Sequence, residues 1–415
     1  MDTHAIFEKE RNADAAKQQS INANEKLLEE TAAGSVTGIG ASSQDWGDST
    51  ARSFLPPYVL EEAAKRNPDD TGLWSTYQRT VEMMDEQVKG KFAPRAFGDG
   101  RGSREIYDAE GSNSLPGRLA RVEGGSRSGD AEVDRAYEYS GIVRDFYKKV
   151  FDRNSIDDRG MKMVSTVNFR QDESKAFENA FWNGTQMVYG RPDAASPFKT
   201  FILLDVSAHE IAHGVTQKMA DFKYYGQSGA LNESMSDVFG SLVKQYAKQQ
   251  TADKADWMIG TGIWKDDVNG RALRDMLNPG TAFDDPRIGK DPQPGHMDKY
   301  VKTSGDSGGV HYNSGIPNRA FALFAKAVGG YAWEAPGKIW YEAMQNSGSR
   351  PSFASFAHET IEAAKALGQQ DKVDTLRRAW AAVGVTPERG AIDTLTPSRR
   401  MMEPELHDHA HARVA

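Results

Sequence analysis

No cysteine occurs anywhere in the chain, so disulfide frameworks, thiolate metal cages and cysteine nucleophiles are excluded together. Long apolar runs are missing too, and no stretch is a candidate membrane span. The opening residues, MDTHAIFEKERNADAAKQQ, hold no apolar core and no Ala-x-Ala-like site, which argues against a standard signal peptide. The expectation is a soluble monomer that stays in the cytoplasm or reaches the extracellular space by a leaderless route. A basic excess is also lacking. With 51 Lys and Arg against 59 Asp and Glu, the net charge is −8, and no Lys/Arg run or basic-aromatic stripe suits nucleic acid.

The 415 residues are 38% hydrophobic and 27% charged, as in ordinary globular proteins, with room for several domains. Residues 1–52 are polar and rich in Gly, Ser, Ala and Gln, and read as a tail. Residues 53–103 contain two short amphipathic helical patterns, in SFLPPYVLEEAAKR and LWSTYQRTVEMMDEQV, divided by the turn signal NPDDTG. A Gly- and Arg-rich linker, KGKFAPRAFGDGRGS, follows them. The body from about Arg104 first mixes strand-like runs (MKMVSTVNF, TQMVYG) with a helical one (AYEYSGIVRDFYKKVF). From Asp205 onward the helical period dominates. The fold class is α+β, with a mixed lobe over 104–235, a mainly helical lobe over 236–386, and a polar tail over 387–415. His407, His409 and His411 in that tail are expected to be solvated rather than metal-bound.

The chemistry concentrates in His209-Glu210-Ile211-Ala212-His213. Four residues apart on a helix, the two imidazoles face one point, which suits zinc, and Glu210 lies near enough to act as base on a water. Catalytic zinc needs a third protein ligand. Glu233, in GALNESMSD on a second helical pattern, can supply it, and Asp237 on the same face can hold a histidine N–H from behind. The run GDSGGVHYNSG places His311 in a loop. On its own, that residue reads first as a turn histidine and only second as a cation facing a cleft.

HEIAHGVTQ, GALNESMSD, NAFWNGTQMVYG, LRDMLNP and DSGGVHYNSG together resemble the thermolysin family, in that family's chain order, over about Arg104 to Val385. The small module with Pro56-Pro57-Tyr58 resembles the short propeptide of protealysin-like members. The resemblance implies a two-lobed metalloprotease made as a zymogen, with the zinc cleft between its lobes and a small helical propeptide before them. It implies one zinc held by His209, His213 and Glu233, and Glu210 as general base. Asp237 would orient His209, Tyr224 and His311 would stabilise the oxyanion, and Asp306 would hold His311. Asn179, the backbone at Ala180, and Arg274 would grip the substrate main chain. Val206, Ile259 and Leu273 would line a pocket for a large apolar residue after the cut. Protein and peptide substrates and the chain's own propeptide are the implied partners.

One departure stands out. Thermolysin's paired calcium ions fall where this chain has Asp205, Lys244, Asp256, Met258 and Thr261. Calcium prefers six to eight oxygens, mostly carboxylate, so the double site is expected to be absent, with Lys244 pairing Asp205 or Asp256 in its place. A proteolytically silent scaffold is the competing reading, disfavoured by the intact HEIAH, Glu233 and His311. The extended metzincin pattern is absent, since residues 216 and 219 are Thr and Met. Exposed Lys91-Phe92 and Ala96-Phe97 are the expected self-processing bonds.

Overall fold

The computed structural model describes residues 52–86, 100–172 and 174–390. The two candidate processing bonds and the tail histidines therefore lie outside the described residues.

The strand-like runs form a six-stranded mixed sheet in the order β1-β5-β6-β4-β2-β3. Its members are β1 (Arg52–Ser53), β2 (Arg104–Asp108), β3 (Arg118–Val122), β4 (Met163–Phe169), β5 (Ala180–Trp182) and β6 (Met187–Gly190). The central β4 runs parallel to both β2 and β6, while β5 runs antiparallel to β6. Two helices precede β2, α1 (Pro57–Arg66) and α2 (Thr71–Glu86). Pro57 fits the first turn of α1, where its missing N–H costs nothing. Helix α3 (Ala131–Phe151) is capped by the Asp130 carboxylate, which accepts from the N–H groups of Glu132 and Val133.

Helices α4 (Leu204–Met219) and α5 (Gly226–Lys248) then lie side by side at the junction of the two halves. Both are buried nearly all round, so their sequences carry only weak amphipathicity. Two glycines set how closely α4 packs, one against α5 and one against the sheet. A Cβ at Gly240 would stand 2.8 Å from the Asp205 carbonyl oxygen of α4, and one at Gly214 would meet the Trp182 ring of β5 at 3.0 Å. Past α5 come two-residue strands, β7 (Met258–Ile259) paired with β8 (Arg274–Asp275) and β9 (Asp284–Asp285) paired with β10 (Gly289–Lys290). The rest is helical: α6 (Gly305–Asn313), α7 (Gly315–Val328), α8 (Ala335–Asn346), α9 (Phe353–Ala366) and α10 (Val373–Ala381).

One apolar core runs from Phe54 to Val385, and it includes Leu55, Val59, Leu60 and Ala63 of the small N-terminal module. Side chains of that size are worth about 1.5–3 kcal/mol each when fully buried, so the module is firmly seated. A smaller cluster, with Met83 of α2 against Phe169, Phe177 and Phe181, fastens its other end to the sheet.

Two expectations change here. Arg52, read from its polar surroundings as the last residue of a tail, pairs with Trp182 as part of the sheet, and backbone pairing leaves no compositional mark. His311, read as a loop residue, sits in a helical turn. The Gly-rich signal marks a kink just before it, with Asp306, Ser307, Gly308 and Gly309 all in the left-handed region. For Asp306 and Ser307 that conformation costs about 1 kcal/mol or more each, a local strain typical of functional loops.

Candidate metal centre and peptide cleft

Helix α4 presents His209 and His213 on one face, and α5 presents Glu233 opposite them. Their ligating atoms all lie within 4.8 Å of one another, and all three side chains are buried. His209 Nε2 and His213 Nε2 are 3.1 Å apart, with Glu233 Oε2 at 3.4 Å from the first and Oε1 at 3.3 Å from the second. The tautomers follow from the other ring nitrogens. His209 Nδ1 lies 2.8 Å from Asp237 Oδ1, and His213 Nδ1 lies 2.7 Å from Asn232 Oδ1. Each Nδ1 is thus the donor, which turns both Nε2 lone pairs toward one point. Two lone pairs and a carboxylate facing each other in a dry site repel unless a cation sits among them. Burial also pushes the His213 imidazole well below its ordinary pKa, keeping it in the neutral, ligating form. The Glu233 Oε2 and Glu210 Oε1 oxygens are buried without a hydrogen-bond partner, aimed into the same space. This donor set fits zinc.

Behind the ligands, Asp237 is the hub. Besides His209 it accepts from Arg274 Nε at 2.8 Å and Nη2 at 2.7 Å, and from Asn318 Nδ2 at 2.7 Å. Four donors on one carboxylate join α4, α5, β8 and α7, and hold Asp237 below its ordinary pKa although burial opposes this. Asn232, Ser236 (Oγ 3.0 Å from His213 Nδ1) and Asn318 were not anticipated from sequence. Asn232 and Ser236, four residues apart, stand in the GALNESMSD segment that yields Glu233, and that spacing was the available signal. Asn318 left none.

Glu210 Oε2 accepts from the Trp182 N–H at 2.9 Å, leaving Oε1 free. Burial first, and Glu233 beside it, push the Glu210 carboxyl well up. Tyr224 and His311 converge from the other wall, with Tyr224 OH 3.3 Å from His311 Nε2 and donating to Glu233 Oε1. His311 Nδ1 meets Asp306 Oδ1 at 2.5 Å, and the Asp306 N-terminal kink also lets its Oδ2 accept from the His311 N–H at 2.9 Å. Burial works against a charged ring, but Asp306 and Glu233 outweigh it and raise His311 to about 9.

Between the halves lies an extended segment of the chain itself, residues 52–55. Ser53 pairs with Phe181 across β1 and β5, and the Phe54 N–H donates to the Ala180 carbonyl at 2.9 Å. The Ser53 carbonyl accepts from His311 Nε2 at 3.1 Å, and the Phe54 carbonyl accepts from Arg274 Nη1 at 3.3 Å. Asn179 brackets Leu55, accepting from its N–H at 2.8 Å and donating Nδ2 to its carbonyl at 3.3 Å. The Phe54 ring is fully buried, edge-on to His209 with centroids 5.3 Å apart and against Gly260, in the core that contains Val206, Ile259 and Leu273.

At the expected calcium positions, Lys244 Nζ lies 3.0 Å from Asp205 Oδ2 and 3.0 Å from Asp256 Oδ1, and it also donates to the Met258 carbonyl. It pairs with both carboxylates rather than one.

Comparison with known proteins agrees with this geometry. Residues 75–217 match the thermolysin metallopeptidase catalytic domain, and residues 220–385 match the thermolysin metallopeptidase alpha-helical domain. An extracellular metalloprotease of Pectobacterium carotovorum subsp. carotovorum is 44% identical over 337 residues, covering 80% of this chain and 96% of that one. Protease PrtS of a Photorhabdus species is 42% identical over 346 residues, covering 80% and 92%. Among solved structures, the precursor of protealysin, a metalloproteinase from Serratia proteamaculans, aligns with a TM-score of 0.72 and 44% identity over 81% of this chain and all of that one.

Proposed function

The chain belongs to the thermolysin metallopeptidase family, in its protealysin-like group, and from that premise we propose a zinc-dependent neutral endopeptidase, made as a zymogen, that cuts before large apolar residues. The catalytic lobes in this reading are residues 104–235 and 236–386, and residues 53–103 are propeptide and linker.

His209, His213 and Glu233 would hold the zinc. When bound there, zinc supplies Lewis acidity that brings the pKa of water to about 7 and polarises a peptide carbonyl. The rest is the work of side chains. Glu210 Oε1, free and buried, takes the proton of the attacking water and hands it to the departing amine. Tyr224 OH and the charged His311 ring donate to the oxygen that gains charge as the carbonyl becomes tetrahedral. Each such donor is typically worth about 3–4 kcal/mol in the transition state. Arg274 and Asn179 fix the main chain beyond the cut, and Val206, Ile259 and Leu273 favour a bulky apolar side chain there.

The observation that carries this reading is the Arg52–Leu55 segment. It lies extended along the cleft, with the Ser53 carbonyl on His311, the Phe54 carbonyl on Arg274 and the Leu55 N–H on Asn179. Covering those groups, the module restrains activity until the linker is cut at Lys91-Phe92 or Ala96-Phe97. Casein hydrolysis by wild type and Glu210→Gln, with zinc measured on both, tests the reading. We expect one zinc per chain in each and turnover only in wild type. Full activity of verified metal-free protein would overturn it, and so would full activity of Glu210→Gln.

A further inference from the structure

We propose that the subsite two residues before the cut selects basic side chains, arginine foremost, and that Arg52 is its occupant in the zymogen. This rests on the peptidase reading above and adds a second specificity on the far side of the scissile bond.

The register assigns the positions. With the Ser53 carbonyl on His311 and the Phe54 carbonyl on Arg274, the Ser53–Phe54 bond stands where the reacting bond belongs. Arg52 is then the second residue before it. Side chains alternate along an extended chain, so Arg52 and Phe54 share a face while Ser53 points the other way. Phe54 enters the apolar pocket beside His209. Arg52 places its guanidinium carbon 4.9 Å above the centre of the Tyr224 ring, and the whole residue is only 2% exposed.

Sinking a guanidinium this deeply is costly unless the site is built to receive it. The Tyr224 face offers the negative quadrupole that attracts a planar cation, an attraction that strengthens where water is excluded. Burial opposes the charge and outweighs the support of Tyr224, Glu233, Asp221 and Glu210, holding the guanidinium below its ordinary pKa, so the preference for a cation rests on the stacking geometry over Tyr224. A dication held by His209, His213 and Glu233 would offset Glu233 and Glu210, leaving the Tyr224 face, with Asp221 behind it, as the source of preference. Asp221 is half-exposed and 2.9 Å from Lys223, so its share is the smaller one. A flat guanidinium stacks on the ring as an ammonium cannot, which ranks arginine above lysine.

The test uses the full chain, incubated until casein hydrolysis reaches its plateau, and three peptides. One is Thr-Ala-Arg-Ser-Phe-Leu-Ala, and the others replace its arginine with lysine or norleucine. We expect cleavage of all three between Ser and Phe, with kcat/KM falling from arginine to lysine to norleucine by about tenfold end to end. In Asp221→Asn the arginine-to-norleucine ratio should shrink by about threefold. Tyr224→Phe should keep most of the ratio while turnover falls, because the ring face survives the loss of the hydroxyl, and Tyr224→Leu should abolish the ratio. Equal kcat/KM for arginine and norleucine overturns the inference and leaves the peptidase reading intact. A ratio untouched by both Asp221→Asn and Tyr224→Leu does the same. Failure to cut any of the three peptides overturns both.

Discussion

Lys244→Met should destabilise the protein by leaving a buried carboxylate without its counter-charge. Methionine keeps most of the lysine's length and removes only the ammonium. Asp205, 3% exposed in its side chain, then retains the Val206 and Gly260 N–H groups, at 3.0 and 3.1 Å, but no counter-charge. Breaking a buried pair costs about 3–5 kcal/mol, whereas the pair with half-exposed Asp256 adds at most about 1 kcal/mol. We take about 3 kcal/mol. At about 2 °C per kcal/mol for a chain of this size, the melting temperature should drop by about 6 °C. Differential scanning fluorimetry in a Glu210→Gln background, which avoids self-digestion, reads it. No drop would refute the assignment of Lys244 as the neutralising charge. In the same assay low-millimolar calcium should leave the parent unchanged, and a rise of several degrees would reveal a cation site.

Three further outcomes can be checked. Asn232→Ala removes the acceptor that fixes the His213 tautomer, so zinc affinity in competition with a chelator should weaken about 10–100-fold. Glu178, pushed from 4.5 to about 8 by burial and by neighbouring Asp70 and Asp193, holds a proton in the docked zymogen that the unfolded chain releases. Stability of the Glu210→Gln zymogen should thus decline between about pH 4.5 and 8 in denaturant titrations, and Glu178→Gln should flatten that decline. On storage, wild type should convert to a fragment beginning at or near Phe92 or Phe97, as N-terminal sequencing would show. Conversion of Glu210→Gln by itself would rule out self-processing.

What sequence made legible were features with a fixed spacing. His209 and His213 are bound to one helix face by the helical repeat, and Glu233 and Asp237 repeat that logic on the next helix, so the metal set could be assembled from two segments. The alternating and mixed runs of 163–169 and 187–190 emerged as β4 and β6. Less legible was whatever depends on distant chain meeting chain. The partner of His213 is Asn232, an unremarkable polar residue until α4 and α5 come together. Trp182 reads as core and is buried as expected, yet its backbone N–H orients Glu210, and no side-chain pattern encodes that. The polar texture of residues 1–52 concealed Arg52, since an arginine buried against a tyrosine face looks the same in sequence as one in water.

The pairing of β1 on β5 has a consequence for how the enzyme is switched on. The self-derived strand uses the main-chain groups proposed above to bind substrate, so on that reading a substitution that tightens the grip on peptides tightens the self-clamp as well. What distinguishes the two is the covalent tether and the burial of α1 and α2 behind the strand. While joined to the body, the strand faces its groove at an effective concentration on the order of millimolar. Once the linker is severed, that concentration collapses to the concentration of the enzyme itself. On the activation route proposed above, dilution would then favour opening of the nicked molecule.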